Sequence, residues 1–392
     1  MKTERKLRIL ILSSHFYPKI DGTTRSIDKI IRSLSGRGHR ILFVTRKLRN
    51  TPSFELYEKA EVYRIGPPGF SAFSRLVFSL NQAKLAMRIL EKEGELVDIF
   101  EAHGFAPMVA CFLLKAIFRK PIVLFFHGLP RMWIGRFKWR KSYEQLLSYP
   151  FEKFLIRQAD RIIVRSSLFG KILGNVYGGG FENKIRVLPH PVDTEIFSFC
   201  MPLSTSPIIL FVGSLSRVYG VDLLLKSTPY ILEKLPDARI VIVGHGPLNQ
   251  ELRYLARELG IEKAVQFTGY IGDPHILAKY YHLSTLVAIP LYYEGYILSL
   301  VAVEALSCGR PVVTTMRLEP GLEKVGVITV KTHDPKDLAQ TILHVVKDVD
   351  LNSIALAARK YVERHHSEKT YGCKLENIYH ELINSIYSFN RK

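Results

Sequence analysis

A chain of 392 residues with 47% apolar composition is long enough for two or three domains, since a single hydrophobic core rarely grows beyond roughly 250–300 residues. Lysine plus arginine is 55 against 36 for aspartate plus glutamate, a formal net charge of +19, which favours a polyanionic partner: nucleic acid, anionic lipid headgroups or a phosphorylated ligand. No zinc-ligand spacing or RNA-recognition signature accompanies that charge, so nucleic acid is disfavoured; Cys111, Cys200, Cys308 and Cys373 are scattered and read as buried thiols in a reducing compartment.

Met1–Arg5 leads into an apolar run, Leu7–Ser13, that reads as a buried strand and is too short for a signal-peptide core with a cleavage site. A helix near Thr23–Ser35, strands at Arg40–Thr45 and Ala60–Ile65, and a helix at Ser74–Lys92 follow. Strand Val97–Glu101 precedes helix Pro107–Phe118, part of the longest apolar stretch, which contains Lys115 and falls short of the ~20 residues a membrane-spanning helix needs. Strand Pro121–Phe126, helix Ser142–Gln158 and strands Arg161–Arg165 and Lys184–Leu188 complete the first half. Alternation of this kind implies a parallel sheet with helices on both faces.

The small polar residues of Pro202–Pro207 mark a linker. Beyond it, two β-branched runs, Pro207–Val212 and Arg239–Val243, each end in glycine. Each is followed by helical apolar spacing, at Leu223, Leu224, Ile231 and Leu235 and again at Leu248, Leu252, Leu255 and Leu259. Glycine turns at strand ends let a ligand approach the backbone, and the helix starts beyond them favour anions; a ligand-free parallel sheet has the same pattern. The expected division is 1–200, 207–366 and a last helical segment, 367–392, with apolar residues at Leu375, Ile378, Tyr379, Leu382 and Ile386.

The blocks IILFVGSLSRVYGVDLLLKS, LPDARIVIVGHGPL, VQFTGY and PLYYEGYILSLVAVEALSCGRPVVTT stand in one order after FYPKIDGTTRSIDKIIRSLSGRGH, PIVLFFHGL, ADRIIVRSS and KIRVLPHPVDTEIF. This series, from about Leu7 to Thr315, resembles the retaining glycosyltransferases of family 4 (glycosyl transferases group 1). The resemblance implies an α/β chain of the GT-B class: two Rossmann-like domains facing across a cleft, acceptor in the first and donor in the second, with the C-terminal helix crossing back to the first. It further implies a metal-independent, retaining hexosyltransferase. The enzyme would use no cofactor and would take a UDP- or GDP-sugar, whose departing diphosphate helps to deprotonate the acceptor hydroxyl.

By the same resemblance Glu294 contacts the transferred sugar and Glu304 the ribose, carboxylates being strong acceptors for hydroxyls. The family places seven residues between these glutamates; here there are nine, with Tyr296 at the strict-spacing position. Ten positions on one helix are about 280° apart, so Glu294 belongs to a loop and the extra residues are absorbed around Ile297–Ser299. Gly213, Gly244, Gly295, Leu298 and Ser299 complete the expected donor wall, with Gly22 on the phosphate side. Ser214 and Tyr219 stand where the family has Arg and Lys, the cations that neutralise the leaving diphosphate. Arg217 is either a replacement for one of them or a surface arginine. His127, at the end of VLFFHG, is expected beside the transferred sugar, and Asp21 and His103 on the acceptor side.

The segment Arg131–Lys141 combines five cations with both tryptophans, a composition suited to a membrane–water interface, to stacking on single-stranded nucleic acid, or to a solvated loop. The membrane reading uses Arg131, Trp133, Arg136, Lys138, Trp139 and Arg140. It adds the apolar positions Leu76, Val77, Leu80, Leu85 and Ile89 as a second contact, although an ordinary packed helix also explains these. It places the protein in the cytoplasm, against the inner face of the cell membrane, with a lipid-linked glycan as acceptor. Two other classes remain open: a non-catalytic relative acting as a binding subunit, and a nucleotide-sugar epimerase.

Overall fold

The computed structural model describes residues 5–19, 22–66, 72–93, 97–127, 142–201, 206–292 and 298–389, with side chains at all of these except 72–73, 93, 142–148 and 387–389. The chain divides into two compact units, Met1–Pro189 with Tyr371–Lys392, and His190–Thr370.

The first unit is built on eight strands: β1 (Arg8–Leu12), β2 (Arg40–Arg46), β3 (Phe54–Tyr57), β4 (Ala60–Ile65), β5 (Ile99–His103), β6 (Ile122–Phe125), β7 (Arg161–Val164) and β8 (Ile185–Val187). Their order across the sheet is β3-β4-β2-β1-β5-β6-β7-β8. Only β3 is antiparallel, forming a hairpin with β4 at the edge. Ile9, Leu10, Ile11 and Leu12 are fully buried, as a parallel strand covered on both faces requires. The connecting helices are α1 (Gly22–Gly36), α2 (Ala72–Glu93), α3 (Phe105–Phe118), α4 (Ser142–Gln158) and α5 (Ser167–Tyr177). Strand β1 pairs with both β2 and β5, so the strand order reverses between β1 and β5. Ligands of open α/β sheets bind beyond the strand C-termini at such a reversal.

The second unit contains β9 (Ile208–Val212), β10 (Arg239–Val243), β11 (Val265–Gly269), β12 (Leu286–Ile289), β13 (Val312–Thr314) and β14 (Val327–Thr329), all parallel, in the order β11-β10-β9-β12-β13-β14. Its reversal lies between β9 and β12. Helices α6 (Val221–Lys234), α7 (Asn249–Glu258), α8 (Pro274–Leu283), α9 (Leu300–Ser307), α10 (Pro335–Asp348) and α11 (Leu351–His365) pack around it. Three of these starts are set by an aspartate whose side chain accepts a backbone N–H of the first turn: Asp273 from His275, Asp334 from Lys336, and Asp350 from Asn352 and Ser353. Such a cap contributes about 1 kcal/mol, and Pro274 and Pro335 supply the preset φ of a helix start. The stretch after β8 packs within this unit too: Val192 N–H donates to His366 O, and Val192 and Phe197 are buried in its core.

The last helix, α12 (Glu368–Phe389), returns to the first unit, burying Tyr371, Leu375, Tyr379 and Leu382 in the core formed by β1, β2 and α1. At its flank, His39 Nδ1 accepts the backbone N–H of Leu7 at 3.0 Å, while Nε2 lies 2.9 Å from Glu376 Oε1. Arg37 donates to the other Glu376 oxygen at 3.0 Å and to the sulfur of the exposed Cys373 at 2.6 Å. Cys200 is half-buried, so only Cys111 and Cys308 are the buried thiols expected of all four.

A neutral His39 with its proton on Nε2 satisfies both of its bonds, whereas a cation would set an N–H against the Leu7 N–H. Burial accordingly lowers the His39 pKa, against the opposing pull of Glu376. A depressed folded-state value means that this stability is complete above the unfolded value of about 6.5 and is lost as pH falls through the folded one. Urea unfolding from pH 8 to pH 5 should show wild type losing stability below about pH 6.5 relative to His39→Gln, whose amide can make both bonds without titrating. Parallel pH profiles for the two proteins would remove His39 from the stability balance.

Candidate functional site

In the second unit the residues that face the reversal come from the turn after β9 and from the segment after β12. After β9, Gly213 leads through exposed Ser214 to a 3-10 turn, Arg217–Tyr219, which ends at Gly220, the residue before α6. Gly220 has φ +65°, and a Cβ there would lie 1.7 Å from the carbonyl oxygen of Pro290, the residue after β12. Tyr292 N–H donates to Val218 O at 3.0 Å, so the two segments are joined backbone to backbone. The neighbouring turn after β10 is held in the same manner. Gly244 has φ +151°, and a Cβ on it would come within 1.8 Å of Gly213 O, while Leu215 N–H donates to His245 O. These glycines therefore let main chain approach main chain, and the ligand-facing groups are what the turns carry outward.

Those groups are few. Ser214, Arg217 and His245 are exposed; Arg217 has no side-chain hydrogen bond among the described residues. Tyr219 is half-buried, its ring packed against the core. On the β12 side, Tyr292 donates to Asp222 Oδ2 at 2.8 Å and stacks on His333 with ring centroids 5.4 Å apart. Burial, then its hydrogen bond to Asp222, raises the Tyr292 pKa, so this hydroxyl keeps its proton. Helix α9 starts at Leu300 with Ser299 as its cap, the Ser299 hydroxyl accepting Ala302 N–H at 3.2 Å. Leu298 is turned into the core. Glu304 lies in the second turn of α9, 2% exposed, and accepts the Tyr281 hydroxyl at 2.9 Å. Glu294, Gly295, Tyr296 and Ile297 fall outside the described residues.

In the first unit Gly22 opens α1 beyond β1, exposed, and His103 ends β5; both flank the reversal between β1 and β5. His127 follows β6, the next strand over, and is half-buried. His103 is buried, and its Nδ1 lies 2.7 Å from His127 Nε2. Its Nε2 is 2.6 Å from Oε1 of Glu101, two residues earlier on the same face of β5 and fully buried. Tyr379 of α12 donates to the second Glu101 oxygen. Burial, reinforced by the Glu101 charge, raises the Tyr379 pKa far above the phenolic range, which keeps it a donor. The sequence reading missed Glu101 and Tyr379; a glutamate two places before a strand-end histidine was the available signal. Asp21, together with Arg131, Trp133, Arg136, Lys138, Trp139 and Arg140, lies outside the described residues. Of the apolar positions on α2, Leu76, Val77 and Leu80 are exposed at 42%, 38% and 47%, while Ile89 is buried.

Among the described residues no three His, Cys, Asp or Glu side chains are grouped as metal ligands, and no helix is long and apolar enough to cross a membrane.

Residues 20–196 match the Glycosyltransferase Family 4 description and residues 206–348 the Glycosyl transferases group 1 description, so the two matches together span most of the chain. An uncharacterized glycosyltransferase of Methanocaldococcus jannaschii is 25% identical over 395 aligned positions, covering 95% of this chain and 98% of the relative. Among solved structures, sucrose-phosphate synthase from Thermosynechococcus elongatus is similar with a TM-score of 0.79 at 20% identity, over 97% of this chain and 100% of that one. Anabaena HepE in complex with UDP-glucose is similar with a TM-score of 0.70 at 17% identity, over 97% and 100% of the two chains.

The Gly220 contact can be tested against a control. Gly260 has nearly the same dihedral, φ +68°, with nothing within 4 Å of a built Cβ. Gly260→Ala should cost about 1 kcal/mol for the left-handed backbone alone, whereas Gly220→Ala should cost about 3 kcal/mol or more because Pro290 O must move. Equal losses in denaturant unfolding would show that the turn after β9 is not pinned to the segment after β12.

Proposed function

The chain belongs to the family 4 glycosyltransferases and has their GT-B fold, and on that premise we propose that its second unit holds the nucleotide-sugar donor against the turn after β9 and the start of α9. The observation that carries this reading is the join at the β9–β12 reversal, which presents Ser214 and Arg217 from one side and the first turn of α9 from the other. An anionic diphosphate suits that place, since the first N–H groups of a helix lack intrahelical partners and favour negative charge. Anabaena HepE, of the same fold, was solved with UDP-glucose.

The finer reading is retaining, metal-independent transfer of a hexose. The anomeric carbon–oxygen bond to the diphosphate breaks, the acceptor hydroxyl forms the new bond on the same face, and its proton passes to the departing diphosphate. Glu294 holds the sugar, Glu304 the ribose and His127 a sugar hydroxyl. Because Glu304 is bonded to Tyr281, its contact with ribose would use the lone pairs that this bond leaves. Arg217 takes over leaving-group stabilisation, the only cation in a turn where Ser214 and Tyr219 are neutral. Those two neutral residues also favour a binding-only relative, and turnover separates the readings.

A thermal-shift screen with UDP-, GDP- and ADP-sugars should give one base that stabilises the protein, and donor consumption should continue in EDTA. Arg217→Ala should lower kcat on the order of tenfold to a hundredfold while changing donor affinity little, because leaving-group charge grows in the transition state. Stabilisation without turnover would select the binding subunit; a loss of donor affinity with kcat preserved would place Arg217 in ground-state binding only.

The acceptor we propose is lipid-linked and met at an anionic membrane surface in the cytoplasm. Support comes from the net charge of +19, the composition of Arg131–Lys141 and the exposed Leu76, Val77 and Leu80 of α2. Co-sedimentation with phosphatidylglycerol vesicles should fall as salt rises, and replacing Trp133 and Trp139 with Ser should remove the salt-resistant part. Equal binding to neutral and anionic vesicles, or no binding at low salt, would leave the acceptor a soluble molecule.

A further inference from the structure

Glu101 is a fully buried carboxylate in the middle of a parallel strand, and a buried charge is costly unless it is paired and hydrogen-bonded. Here the Tyr379 hydroxyl donates to one oxygen and the His103 ring meets the other at 2.6 Å. The consequence runs outward along the rings. A carboxylate only accepts, so His103 Nε2 carries a proton; in neutral His103, Nδ1 is then the acceptor. His127 Nε2, 2.7 Å from that Nδ1, must therefore donate, which leaves Nδ1 as the basic nitrogen of His127. When His127 takes a proton, the new charge lies one ring away from the Glu101 anion in a low-dielectric interior, where that attraction is strong. Phe125 stacks on His103 at 4.8 Å between centroids, and the His103 and His127 planes differ by 17°, so the rings are held for this contact.

We infer that Glu101 is a positioning residue: through His103 it fixes the tautomer of His127 and favours its protonated form. The inference rests on the reading above that His127 meets the sugar.

Titratable or charged groups that act on Glu101 or on its partners include Cys111 of α3, Arg165 after β7, and Tyr371 and Tyr379 of α12. Burial pushes the Cys111 thiol and both phenols up, so these stay neutral. Arg165 is a fixed cation whose guanidinium donates to Ser26, Leu188 O and the Tyr371 hydroxyl.

The test is ¹⁵N-histidine NMR on the full chain, combined with kinetics. Wild type at neutral pH should show both histidines protonated on Nε2 and acceptors on Nδ1. Glu101→Gln keeps an acceptor oxygen for His103 and should keep the fold and this pattern. It should also lower the protonation midpoint of His127 by about one unit, a tenfold loss of proton affinity. With the donor found in the screen, kcat should fall on the order of tenfold with donor KM within about twofold. His103→Phe preserves the stacked ring but cuts the path, and His127 should then show a mixture of tautomers. An unchanged midpoint and kcat in Glu101→Gln, or an unchanged His127 tautomer in His103→Phe, overturns the inference. Wild type that turns over no nucleotide sugar would instead remove the transferase reading, and the nitrogen spectra would still decide the role of Glu101.

Discussion

Each unit is organised by the reversal of strand order at its first strand, and in the second unit that reversal is closed by one backbone contact that admits no side chain. Strand β9 neighbours both β10 and β12, so the chain segments leaving β9 and β12 must part to opposite faces of the sheet. They remain in touch because Gly220 lies under the Pro290 carbonyl and Tyr292 N–H reaches Val218 O. A Cβ at position 220 would occupy the space of that oxygen, so local sequence and global topology meet at one atom. Ser214 and Arg217, which are proposed for the donor, stand in the turn that this join holds. In the proposed reaction such a frame favours catalysis by preorganised charge, since the groups need not reorganise as the leaving diphosphate gains charge.

The first unit solves a related problem with a side chain. Its reversal lies between β1 and β5, and His103 at the end of β5 is held by Glu101 beneath it. Glu101 is in turn held by Tyr379 from the far end of the chain. A helix that a purely structural reading would treat as a cap on an apolar core therefore also satisfies the carboxylate on which the histidine pair depends. Removing Tyr379 would leave a buried acceptor short of a donor, a cost of about 1–3 kcal/mol, so stability and site geometry are linked through one oxygen.

Strands β1, β2, β9 and β10 were legible because parallel strands buried on both faces appear as continuous apolar runs, as in RILIL, IILFV and RIVIV. Strand β3 was not, because FELY at an exposed edge carries no such run and is defined only by its pairing with β4. Helix α9 was expected around Glu304, and it starts at Leu300, directly after Leu298 and Ser299. Gly213 and Gly244 were recognised as strand-end turns and Gly220 was not singled out; the partners of Gly220 and Gly244, Pro290 O and Gly213 O, are distant in sequence and invisible to spacing. Glu101 was hidden for a similar reason: within DIFEAH it is one polar residue in an apolar strand, and its second donor comes from position 379. Tyr379 itself was counted among apolar residues at helical spacing, which describes its ring and not its hydroxyl.

The central claim is that the donor rests on the joined segments at the β9–β12 reversal. Hydrogen–deuterium exchange with and without the stabilising nucleotide sugar tests it most directly. The account predicts slowed exchange in peptides covering Gly213–Gly220 and Leu298–Glu304, where main-chain N–H groups gain an anionic partner or lose access to water. Protection confined to other segments, or no protection at saturating donor, would contradict it.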